Sequence, residues 1–251
     1  MTTDSDSSVV RVITPNLVAF FIGLALAWFL HWETSDLVWS LWLSSLVIGY
    51  STILFRIGYS TLLGWRTIHD DGYTGPNRLA SLLIGGGVAL FFLAFFSVHF
   101  CGFHAGHSVF LSQFFPLEGL PDDGFGEAFI NPILLWKLVF QHLMIPYGLF
   151  IIPTFIAERN AILKPFRKDA QSSDESEDLT AKKPRKELTE DLFAGPYKNV
   201  IRMHILIFFF GGCHFLKIDS FAVYVVVSAV YFLPWSELKQ LWSNRDRATE
   251  A

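Results

Sequence analysis

Residues 79–98, LASLLIGGGVALFFLAFFSV, carry no charged side chain. A bilayer's hydrocarbon core is about 30 Å thick and a helix rises about 1.5 Å per residue, so roughly 20 apolar residues cross it. In lipid every backbone polar group must be satisfied within the segment, which leaves helices or closed barrels. Five further runs meet a similar standard, near 15–31, 36–56, 130–156, 199–216 and 220–236. The expectation is an all-α polytopic transmembrane helical bundle of six spans. Composition agrees: 52% of the 251 residues are hydrophobic and only 17% are charged, too few charges for one aqueous domain. The implied partner is the lipid bilayer, not nucleic acid.

Lysine and arginine stay on the cytoplasmic side of a membrane. Arg11 precedes the first span, and the loop HWETSD has neither residue type. Arg56, Arg66 and Arg78 surround the second loop. The third, about 99–129, has none and carries Glu118, Asp122, Asp123 and Glu127. The fourth is rich in both, from Arg159 to Lys198, and the tail carries Lys239, Arg245 and Arg247. This alternation puts both termini in the cytoplasm. Trp28, Trp32, Trp39, Trp42 and Trp136 then belong to the outer interface. The acidic start MTTDSDSSVVRV lacks the basic region of a secretory signal, so the first span reads as retained. Two cysteines make no disulfide framework.

The domain plan follows. Residues 1–156 form a membrane domain of four spans, and 199–238 add spans five and six. Residues 239–251 are a cytoplasmic tail. The stretch 157–198 between them is charged in both signs and poor in apolar residues, as in AQSSDESEDLTAKKPRKELTED. Such a stretch buries too little surface to offset its ordering entropy. It reads as a disordered cytoplasmic linker, a tether or a docking segment for a protein partner.

HFCGFHAGHS, residues 99–108, gathers three histidines and a cysteine. On a helix each residue turns about 100°, so from His99 the others fall near 80° (His107), 140° (His104), 180° (Ser108) and 200° (Cys101). They form one polar stripe. Gly102 and Gly106 lie opposite, a small-xxx-small pair suited to close packing. Spans one, three and five run the same way, and each ends in histidine plus aromatic: His31-Trp32, His99-Phe100, His214-Phe215. The candidate metal ligands are therefore His99, His104, His107, His31 and His214. Imidazole suits zinc, copper and iron. A zinc hydrolase would add Glu118 or Asp122 as base and Ser108 to orient substrate. Haem is the weaker option, since no CxxCH occurs. Cys101 and Cys213 are possible soft ligands or a disulfide. Polar packing, a proton relay and substrate contact remain alternatives to metal.

Lys137, Gln141 and His142 lie in span four, and ionisable groups inside a membrane are functional candidates. Pro146 and Pro153 predict kinks in that span. These features suit the rival reading, a non-enzymatic transporter or assembly scaffold without metal. Arg202 and His204 begin span five at the inner side.

PNLVAFFIGLALAWFLHW, LVWSLWLSSLVIGY, HFCGFHAGHSVFL and YKNVIRMHILIFFFGG together resemble a family of small bacterial multispanning proteins, domain of unknown function 6498. The resemblance covers the spans, with the linker and tail outside it. It implies a protein of the bacterial cytoplasmic membrane and brings no catalytic residue. The reaction, if any, is unknown from the sequence.

Overall fold

The computed structural model describes residues 3–70, 76–120, 122–172, 201, 204–218, 221–235, 238–239 and 242. Among these every regular element is helical. In chain order the helices are α1 (Thr3–Phe29), α2 (Thr34–Asp70), α3 (Pro76–Phe114), α4 (Pro132–His142), α5 (Met144–Tyr147) and α6 (Ile151–Ser172). α7 (His204–Phe215) and α8 (Phe221–Phe232) complete the set.

Apolar side chains with interspersed small residues suit helices in lipid, but hydroxyls need partners there. The chain supplies them within each helix. Ser40 donates to the Leu37 carbonyl at 2.9 Å, Thr52 to Ile48 at 2.8 Å, Ser97 to Leu93 at 2.6 Å and Thr154 to Phe150 at 2.9 Å. Each such bond turns a polar side chain into an apolar surface at little cost to the backbone.

α2 and α3 form a long antiparallel hairpin with the most extensive contact in the molecule. Register is set by Ser45 against His104, Gly49 against Phe100 and Tyr50 against Ser97. Spans 36–56 and 79–98 are therefore not level with each other. The first half of α2 pairs with 97–115, a stretch assigned to the loop side of span three. α3 has 39 residues, about 58 Å of helix and nearly twice a bilayer core. Its most apolar stretch is hardly covered by protein, whereas most of the corresponding stretch of α2 is.

Among the described residues two helices, α2 and α3, are long and apolar enough to cross a membrane. The pair α4 and Met144–Asn160, bent by 65°, makes a third candidate. Ile13–Phe29, His204–Phe215 and Phe221–Phe232 are shorter. The six predicted runs thus correspond to six apolar helical elements, of which two or three reach spanning length. The bend has the cause its prolines predict. Pro146 has no N–H to give the His142 carbonyl and its ring crowds that turn, so α4 ends at His142. Pro153 likewise follows a 3-10 turn at Gly148–Phe150. α4 starts cleanly, with Pro132 at its first turn and Asn131 accepting from the Leu134 N–H at 3.0 Å.

Three expectations need correction. α1 begins at Thr3, twelve residues before Pro15. Trp39 and Trp42 are fully buried, not interfacial. Their indole N–H groups donate to the carbonyls of Phe115 (2.8 Å) and His104 (3.1 Å), which removes the need for water at the ring. α6 runs on to Ser172, into the segment whose charge density suggests a linker. Mixed charge disfavours a core but not a helix that continues an existing one, since elongation costs far less than nucleation. Residues 173–200, the rest of the linker, and most of the tail lie outside the described residues.

Candidate functional site

The connection 115–131 folds back along α3. Gly124 rests on the Ser108 carbonyl, and further on the Phe129 carbonyl meets Gly102. Phe125, fully buried, stacks on Trp42 at 5.3 Å and meets Trp39 edge-on at 6.1 Å. The glycine face predicted for 102 and 106 is thus a packing face, but its partner is this loop. A Cβ on Gly102 would stand 2.7 Å from the Phe129 oxygen. At Gly85, Gly86, Gly87, Gly211 and Gly212, by contrast, an added Cβ would meet nothing within 4 Å.

Residues 99–108 are helical, and the predicted polar stripe is inside: Cys101, His104, His107 and Ser108 are all buried. His104 sits in the core with both ring nitrogens engaged. Nδ1 lies 3.1 Å from the Phe100 carbonyl, which can only accept, so Nδ1 carries the proton. Nε2 lies 3.3 Å from Ser45 Oγ, which donates to it in the neutral ring. Ser108 is committed too: it donates to the Ala105 carbonyl at 2.7 Å and accepts the Phe125 N–H at 2.9 Å.

His107 is 8% exposed. Its Nε2 lies 3.1 Å from Nε2 of His204, with the ring planes at 88°. One ring must donate and the other accept, so the pair shares a proton between α3 and α7. His107 Nδ1 is buried and has no hydrogen-bond partner among the described residues. α7 lies parallel to α3 here: His107 meets His204, while Phe115 meets Phe210 and His214.

The other predicted ligands go elsewhere. His99 stacks on Phe95 at 5.2 Å and meets Phe103 edge-on at 4.8 Å. His214 is exposed and sits edge-on to Phe114 and Phe115. His31 is exposed in the left-handed region, φ 51°, where it ends α1. Trp32 N–H reaches the Ala27 carbonyl and His31 N–H the Trp28 carbonyl, a Schellman closure. Lys217, φ 53°, ends α7 in the same way.

Among the described residues no group of three or more His, Cys, Asp or Glu side chains is placed to hold a metal ion. His214 on α7 packs beside Phe114 and Phe115, about four turns along α3 from His99, and the ring nitrogens of His104 are occupied by protein. The hydrolase arrangement is not assembled either. Glu118 and Asp122 are exposed while Ser108 is sealed beneath Phe125. Cys101 and Cys213 are buried free thiols. Lys137 and Gln141 face outward, and His142 is half-buried at the end of α4.

His204 is the residue sequence reasoning set apart, at the inner end of span five and away from the histidine stretch. The one available signal was direction. Spans three and five run alike, so parallel pairing was open, but the offset that brings 204 to 107 lies in the packing of Phe210 and His214 against Phe115.

Comparison with curated proteins and with solved structures finds no match. A family model, described as a family of unknown function (DUF6498), matches residues 1–162. The match takes in α1 through α5 and the first half of α6, and stops before α7. With more than half of its length matched, the chain belongs to the DUF6498 family.

Proposed function

We propose that this is a multi-pass protein of the bacterial cytoplasmic membrane that handles protons at the His107–His204 pair, in the manner of a transporter component. The observation that carries this reading is the 3.1 Å Nε2–Nε2 bond together with the unpartnered Nδ1 of a buried ring. An ionisable group kept inside an apolar bundle is costly, which marks it as a functional candidate. A proton accepted at one imidazole nitrogen can leave from the other, so His204 on the surface and His107 beneath it form a two-step path.

In this reading all six apolar elements lie in the bilayer with both termini inside, as the lysine and arginine alternation supports. α3 exceeds the bilayer thickness, so it tilts, and the 115–131 loop covers its last turns. The charged segment after α6, residues 173–198, serves as a cytoplasmic tether on which a protein partner docks.

Reconstitution into vesicles holding a pH-sensitive dye tests the proposal. Wild-type protein passes protons, His107→Ala and His204→Ala each abolish the flux, and His99→Ala leaves it unchanged. No flux in the wild type, or equal flux in all variants, sinks the reading.

A further inference from the structure

The far end of the α2–α3 hairpin holds a second polar feature. Trp65, Arg66 and His69 of α2 face Arg78 of α3 across a cleft of about 260 Å³, with Leu62 and Leu82 also lining it. Two arginines from different helices line one space, and none of the described lining residues is acidic. Like charges so placed repel until an anion lies between them. Guanidinium forks match phosphate oxygens in two-point hydrogen bonds.

The cleft also marks an edge. Immediately beyond Arg78 the surface of α3 turns apolar, with Leu79, Leu83 and Ile84 exposed at 61%, 67% and 68%. Trp65, 63% exposed, is the residue type that settles at the level of lipid headgroups. A cationic recess capped by tryptophan and continued by a bare apolar helix has the polarity profile of a phospholipid.

We propose that this cleft binds the phosphate of an anionic phospholipid, with the acyl chains lying along the Leu79–Leu83 face of α3. The charge of Arg66 and Arg78 selects an anionic headgroup, and the apolar wall selects a lipid over a free phosphate. The site is independent of the histidine pair and stands or falls apart from it.

Native mass spectrometry of the full-length protein in detergent tests this, with phosphatidylglycerol or phosphatidylcholine of the same chains added. Wild-type protein retains phosphatidylglycerol in roughly tenfold preference, the worth of one charge-assisted contact. The Arg66→Gln/Arg78→Gln variant loses the preference, and Lys137→Gln, removing another exposed cation, keeps it. Leu82→Phe fills the apolar side while keeping both charges and also lowers retention, which covers a double variant that fails to fold. Equal retention of the two lipids by wild type, or unchanged preference in both cleft variants, overturns the proposal. Displacement of the lipid by millimolar inorganic phosphate overturns it too, since the cleft would then read phosphate alone.

Discussion

Ser108 Oγ accepts the backbone N–H of Phe125 at 2.9 Å, and that bond seats a loop residue between two buried tryptophans. The hydroxyl does two jobs. It closes onto its own helix through the Ala105 carbonyl and still offers a lone pair to the returning chain. The acidic connection 115–131 is thereby drawn onto α3 and becomes part of the core, with Phe125 and Ala128 fully buried.

Phe125→Ala should be among the most damaging substitutions outside the helices. It empties a site between Trp39 and Trp42, and large-to-small changes of this kind cost about 3–5 kcal/mol. The expected outcome is a lower melting temperature with a red-shifted tryptophan emission, as the indoles gain access to solvent. An unchanged emission maximum would mean the loop does not seal them.

Gly102→Val acts from the other side of the same contact. Its Cβ would stand 2.7 Å from the Phe129 oxygen, a backbone atom that cannot rotate away. Overpacking typically costs about 1–3 kcal/mol. Gly106→Ala, whose nearest neighbour is the Phe129 ring at 3.4 Å, should cost clearly less. Thermal denaturation of both variants in one detergent checks the order.

Different parts of this molecule were legible to different degrees. Each apolar run became an apolar helical element, because hydrophobic length is a local property and lipid leaves the backbone few choices. The polar stripe at Cys101, His104, His107 and Ser108 was legible for the same reason, since helix geometry alone sets it. Partnership was not. Nothing local says that Phe125 enters between Trp39 and Trp42, or that His204 rather than His31 meets His107. Those outcomes depend on how far one helix slides along another, and register between helices is fixed by dispersed contacts such as Gly49 against Phe100.

His31→Gly should stabilise the protein. His31 holds φ 51° at the end of α1, a conformation that costs an L-residue about 1–2 kcal/mol and costs glycine nothing sterically. Glycine's greater freedom in the unfolded chain returns part of this, leaving roughly 0.5–1 kcal/mol. Lys217→Gly should show a gain of the same sign. A loss of stability in His31→Gly would reveal a bonding role for the imidazole that its exposed position gives no reason to expect.

Tyr147→Phe removes the hydroxyl that donates to Asp36 Oδ1 at 2.9 Å, while Asp36 Oδ2 still accepts the Glu33 N–H at 2.8 Å. The first bond ties the α4–α6 corner to the start of α2. Hydrogen bonds to charged groups contribute about 1.5–3 kcal/mol, and this partly buried one belongs near the lower figure. The loss should appear as faster hydrogen exchange at residues 144–150, with the start of α2 still protected through the Glu33 bond.

The histidine pair makes the most direct prediction. A double-mutant cycle with His107→Ala and His204→Ala should give a coupling energy of roughly 0.5–1.5 kcal/mol, the range measured for hydrogen bonds between helices in membranes. The single changes should be unequal. His107 is buried, so its truncation also opens a cavity, whereas His204 is exposed and its truncation opens none. Nitrogen NMR on uniformly labelled protein gives a second reading: a through-bond coupling between the two Nε2 nuclei that vanishes in either variant. Additive stabilities and no coupling would mean that the two rings merely touch.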